Sequence, residues 1–168
     1  MNRRFRINHL LAPGEYRLAD VYPDIASYSV LYALFPDPVE MQRILQEIKV
    51  FVVDKPYMMF VDNRDGSITI GMPHLQQAPG EILYLDIIHE LCHVKQHLVG
   101  LNLYDRSKSY VDRETEIEAY RVTVQEARRI GFDDEAIAGY LHVPWITGEE
   151  YERLVRSMNV ILTETPSG

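Results

Sequence analysis

Two histidines four residues apart, His89 and His93, with Glu90 directly after the first, form the grouping in this chain best suited to chemistry. On a helix a four-residue step is about one turn, so both imidazoles leave the same side and can share one metal ion. Two ring nitrogens suit Zn2+, and the carboxylate beside them can take a proton from a water acidified by the metal. This is equipment for metal-assisted hydrolysis. A catalytic zinc held by two histidines still needs a third protein ligand.

The segment around the motif reads as a helix over residues 80–98, preceded by Pro79 and closed by Gly100. At about 100° per residue, Leu83, Leu85, Ile87, Ile88, Leu91 and Val94 fall in a broad apolar arc. Asp86, His89, Glu90, His93, Gln96 and His97 collect opposite it, a face carrying three of the chain's six histidines. His97 lies about 12 Å along the axis from His89 at ~1.5 Å per residue, too far for one straight helix to bring all three onto one ion. It is expected to support the ligands or to face solvent. Asp86, three residues before His89, either orients an imidazole or favours the positive end of the helix. Cys92 points into the apolar arc and reads as a small buried hydrophobe.

Glu114, Glu116 and Glu118 are the nearby candidates for the third ligand, on a helix expected from residue 111 or 112 to 130. Glu116 shares its stripe with Ala119, Tyr120, Thr123, Val124, Ala127 and Ile130, which is the core-facing side. Glu114 and Glu118 share theirs with Arg121, Gln125, Arg128 and Arg129. A carboxylate centred on a buried stripe needs a cation, so Glu116 is expected to meet either the zinc or a buried Arg or Lys.

His89-Glu90-x-x-His93 followed by Glu116-x-x-Ala119 resembles the gluzincin metallopeptidases, and in layout the minigluzincins and the ImmA/IrrE-type peptidases. The resemblance spans residues 40–130. It implies a zincin-like fold, a single Zn2+ on His89, His93 and Glu116, Glu90 as general base and acid, and hydrolysis of peptide bonds. It also implies a peptide or protein substrate whose backbone pairs with a strand bordering the cleft, matched here by residues 67–71. Tyr110, six residues before Glu116, is similar to a tyrosine that stabilises the oxyanion in some members; His74 and His142 are other possible donors. The alternatives are a latent or regulatory metalloprotein of the same fold, which acts on a single protein partner or has its cleft covered by residues 1–37 or by the tail after Val160, and a zinc-binding module without catalysis. RNA-cleaving hydrolases of the HxxxHxxxxxH type would want a histidine where Val99 stands. Peptide deformylases take a cysteine ligand from an upstream loop, whereas Cys92 is the sole cysteine and lies inside the motif.

The elements that must position these residues are legible in outline. Residues 1–37 read as an irregular extension apart from a short helix near 25–34, and 38–48 as a helix with proline in its first turn. Residues 50–53, 57–61 and 67–70 are short β-branched or aromatic runs, and Asn63-Arg64-Asp65-Gly66 is a hairpin turn. Three antiparallel strands are expected from them. Further helices are expected from Asp133-Asp134 to before Pro144, and after Thr147, where Glu150 completes capping-box spacing. The sum is a single α+β domain, with a small sheet packed on the two site helices, a core over 38–131 and a helical segment over 132–168.

Composition narrows the class. The 168 residues are 46% hydrophobic and 25% charged, enough apolar material for a core. A net charge of −8 argues against a nucleic-acid partner, and Arg3, Arg4 and Arg6 are the one local exception. No apolar run approaches the ~20 residues of a bilayer span. One cysteine and no secretory pattern lead to the expectation of a cytoplasmic protein without membrane association.

Overall fold

The structure is a computed structural model that describes residues 5–163. Among them are eight α-helices and a four-stranded mixed sheet, an α+β fold. The chain divides into two compact units, Met1–Leu103 and Tyr104–Gly168.

In the first unit the sheet has β1 (Gly14–Arg17), β2 (Lys49–Val53), β3 (Met59–Val61) and β4 (Ile68–Gly71), in the order β1-β2-β4-β3. Two expectations are corrected. The sheet has four strands, because β1 from the supposedly irregular extension pairs antiparallel with β2, Tyr16 opposite Val50. It is mixed, because β2 and β4 are parallel, Val52 opposite Ile70. Only β3 and β4 form the antiparallel hairpin expected around residues 63–66.

The reason lies between β2 and β3. Pro56 has no N–H to continue a ladder against β2. The chain instead crosses the end of β4, where the Gly71 N–H donates to the Met58 carbonyl, and β3 pairs on the far side. A Cβ on Gly71 would overlap the Tyr57 carbonyl oxygen, so this crossing requires glycine. Since β4 is hydrogen-bonded on both sides, it offers no free edge to a substrate; of this hairpin, β3 is the edge strand.

The β3–β4 turn is tightly held. Gly66 adopts φ +75° and donates to the Asp62 carbonyl. The Arg64 side chain and N–H hold the Asp62 carboxyl down at about 2.

The helices of this unit are α1 (Leu18–Val21), α2 (Leu31–Leu34), α3 (Pro38–Glu47), α4 (Met72–Gln77) and α5 (Gly80–Leu98). Asp37 caps α3, accepting from the Val39 and Glu40 N–H groups, with Pro38 at the first position. Residues 72–77 form α4 with Pro73 in its first turn. The short helix expected near 25–34 splits into a 3-10 turn, Ile25–Ser27, and α2.

Leu18, Val21, Tyr22 and Leu31 are fully buried, so residues 14–34 supply core rather than a loose extension. Phe5 stacks on Tyr84 of α5 at 3.9 Å, and Tyr28 meets the same ring edge-on at 4.8 Å. Arg6 pairs with Asp24 at 3.2 Å; Arg3 and Arg4 lie outside the described residues, as do 164–168 at the other end.

The Tyr28 hydroxyl is buried and has no hydrogen-bond partner among the described residues. Burial, then the nearby Asp24 charge, pushes its pKa up to about 12. An unfolded tyrosine ionises near 10, so the unfolded chain deprotonates first and stability falls as pH rises from about 10 to about 12. Tyr28→Phe is expected to be neutral or to stabilise by about 1 kcal/mol at pH 7, since no bond is lost. It should also flatten part of the alkaline loss. Urea melts of both chains at pH 7 and pH 10.5 check this, and a clear destabilisation at pH 7 would refute it.

The second unit holds a 3-10 turn, Tyr110–Asp112, then α6 (Glu114–Arg129), α7 (Asp134–Leu141) and α8 (Gly148–Ser157). Helix α6 begins later than expected because Arg113 is extended. It ends at Gly131, φ +103°, where the Gly131 and Phe132 N–H groups reach back to the Arg128 and Ala127 carbonyls. Asp133 caps α7, and Thr147 with Glu150 forms the expected capping box on α8. Ala119, Val124, Ala127, Ile137, Leu141, Leu154 and Val155 form its core. Arg128 ties α6 to Asp134 at 2.6 Å, and Asp134 accepts from the Ile161 N–H.

Candidate metal centre

Helix α5 is buried almost all round from Leu83 to Val94, not only along the apolar arc. Asp86, His89, Glu90, His93 and Gln96 are each 7% exposed or less. Burying polar groups is costly unless they are hydrogen-bonded, and several of these satisfy one another. His93 Nε2 and His89 Nε2 lie 3.1 Å apart, with the rings at 80°. His93 Nδ1 lies 2.7 Å from Gln96 Oε1. His74 of α4 places its Nε2 2.7 Å from Asp86 Oδ2.

The histidine spacing answers whether a metal fits. Two nitrogens about 2.05 Å from a tetrahedral ion lie about 3.3 Å apart. The observed Nε2 separation is close to that. Donor atoms of His89, His93 and Glu116 all lie within 4.8 Å of one another, and all three residues are buried. Two imidazoles and a carboxylate are a donor set that zinc accepts with its fourth position open.

On α6 the three glutamates separate by burial. Glu116 is 4% exposed, Glu118 is intermediate and Glu114 is exposed, pairing with Lys108 at 3.2 Å. No Arg or Lys is buried among the described residues. A second buried carboxylate on α6, Glu126, is held by Arg129 at 2.5 and 2.8 Å.

The remaining candidates are placed as follows. Glu90 is buried, and its charge reaches the Tyr22 phenol. Burial, with Asp86 and Glu90 adding to it, pushes the Tyr22 pKa up. Asp86 receives the His74 imidazole, a pairing the local pattern did not reveal. His97 turns to the β3–β4 turn, where a Cβ on Gly66 would come within 2.7 Å of its ring. Tyr110 shares a hydroxyl–hydroxyl bond of 2.8 Å with Tyr120 and meets Trp145 edge-on at 5.7 Å. His142 is exposed and packs edge-on against Tyr151 at 4.8 Å.

Three pairings were missed: Gln96 with His93, His74 with Asp86, and Tyr120 with Tyr110. Gln96 was readable in principle, since a side chain three residues on from a helical histidine lies beside it. His74 and Asp86 come from different helices, and no local signal links them.

The fold and the cluster together define a class: an α+β protein with a buried two-histidine, one-glutamate centre able to hold a metal ion. No family model matches the chain, and no curated protein or solved structure is significantly similar to it. No helix among the described residues is long and apolar enough to cross a membrane.

Proposed function

We propose that this chain is a zinc-dependent metallopeptidase of zincin-like, gluzincin type. The observation that carries the reading is the convergence of His89, His93 and Glu116 donor atoms within 4.8 Å, with Glu90 next to His89 in the sequence. His89 and His93 would hold the ion through Nε2 and Glu116 through a carboxylate oxygen. A zinc bound there supplies Lewis acidity, which polarises a scissile carbonyl and makes water a better nucleophile at neutral pH.

The chain's own residues do the rest. Glu90 takes the proton of the attacking water and returns it to the leaving amine. Glu90 is 6% exposed and follows His89 directly in the chain. The substrate class is a peptide or protein. The single buried cysteine suits a reducing, cytoplasmic setting.

The near-complete burial of His89, Glu90, His93 and Glu116 favours a second reading, in which the same centre is latent until substrate or a partner opens it. Metal retained without cleavage of any peptide would select that reading, or a zinc-binding module without catalysis.

The test is metal analysis of purified protein after zinc loading. Wild type should hold about one zinc per chain, and His89→Ala should lose it, since two remaining ligands leave a site far short of tetrahedral. Glu116→Gln should bind zinc at least ~10-fold more weakly while Glu114→Gln binds as wild type. Full occupancy in Glu116→Gln removes the third ligand from the scheme, and no zinc in wild type removes the function.

A further inference from the structure

We infer that Gln96 is the positioning residue that commits His93 to the tautomer a metal ion requires. His93 Nδ1 is 2.7 Å from Gln96 Oε1, and Gln96 is only 1% exposed. An amide oxygen can only accept, so Nδ1 must carry the ring proton and Nε2 keeps its lone pair. That lone pair is directed at His89 Nε2, 3.1 Å away, where the ion would sit.

The sense of the amide decides the matter. Turned end for end, Gln96 would present N–H to Nδ1, drive the proton onto Nε2 and block coordination. The other end of the side chain shows why it does not turn. Gln96 Nε2 lies 3.8 Å from Cys92 Sγ, within the reach of an N–H···S bond. The sulfur receives the donor end and leaves the oxygen for His93. Cys92, Gln96 and His93 thus form a relay within little more than one turn of α5, which gives the lone buried cysteine a role as a weak acceptor.

The two histidines are consequently unequal. With the His93 Nε2 lone pair accepting, His89 Nε2–H is the donor across the 3.1 Å contact in the metal-free chain. Loading an ion requires His89 to shift or release that proton. His93 is preorganised and changes nothing.

The consequence for metal affinity rests on the proposed metal centre; the tautomer does not. Long-range proton–nitrogen NMR correlations on the metal-free protein should show His93 as the Nδ1–H tautomer in wild type and in Gln96→Glu, which keeps an acceptor. Gln96→Met, similar in shape but without the amide, should lose that preference. Cobalt titration followed by visible absorption should show Gln96→Met binding about 10–100-fold more weakly, with Gln96→Glu within about threefold of wild type. A His93 Nε2–H tautomer in metal-free wild type overturns the assignment, as does a Gln96→Met chain with wild-type tautomer and affinity. An Nδ1–H tautomer in a wild type that binds no cobalt supports the role of Gln96 and sinks the metal centre instead. The wild-type spectrum needs no variant, so a Gln96→Met chain that failed to fold would leave the test intact.

Discussion

Glu90→Gln is expected to lower peptide hydrolysis by about 10²–10⁴-fold, the range typical of losing a general acid–base group, while zinc content stays at the wild-type level. Glutamine nearly matches glutamate in shape, so the buried position should be filled without a cavity. It cannot accept a proton at neutral pH, so the attacking water loses its base and the leaving amine its acid. The ligands His89, His93 and Glu116 are untouched, which separates chemistry from metal binding. The measurement pairs turnover of a mixed peptide pool with metal analysis of the same sample. Undiminished cleavage would remove Glu90 from the mechanism. Loss of zinc along with cleavage would make Glu90 part of the ligand set instead.

The largest stability loss is expected from Gly71→Ala. The added methyl would overlap the Tyr57 carbonyl oxygen and lie 2.7 Å from that of Lys55. Both are backbone atoms, so no side-chain rotation relieves the clash. The crossing of residues 55–58 over the end of β4 would have to move, and with it the Gly71–Met58 hydrogen bond and the β3–β4 pairing. A cost above about 4 kcal/mol is expected, in the range reserved for backbone and core disruption. Gly14→Ala is the matched control: its nearest neighbours are atoms of the Tyr16 side chain at 3.5 Å or beyond, ordinary contact distances. It should change stability by no more than about 0.5 kcal/mol. Urea unfolding of the three chains reads both, and a Gly71→Ala midpoint equal to that of Gly14→Ala would show that the crossing is not held as described.

These two predictions draw on different depths of information. The neighbourhood of Glu90 was readable from the chain, because the 3.6-residue period and an i,i+4 step place His89 and His93 on one side without any tertiary knowledge. The same periodicity separated Glu116 from Glu114, and the burial of each agrees with that sorting. Helix α5 runs from Gly80 to Leu98 as the flanking Pro79 and Gly100 suggest. The Thr147–Glu150 box and the turn at 63–66 are equally local. In each case the deciding energies act between residues a few positions apart, so the covalent chain itself delivers the partners.

Gly71 gave no such warning. As a residue it ends a short apolar run, and nothing nearby says that another stretch of backbone presses against it. The pattern of alternating burial is the same for parallel and antiparallel neighbours, so residues 50–53 could not announce a parallel partner in β4. Residues 14–17 have too little apolar alternation to declare themselves a strand; pairing with β2 makes them one. The His74–Asp86 contact joins α4 to α5 across twelve residues. By itself, then, the sequence determined the longer helices α3, α5, α6, α7 and α8 in outline, the Thr147–Glu150 box and the turn at 63–66, and which side chains could serve a metal. Only the tertiary structure decided the strand order, the glycine crossing and the hydrogen bonds that would orient the ligands. The physical reason is that periodicity limits which faces can be buried, whereas the partner of each face is chosen by competition among distant segments that satisfy the same pattern equally well.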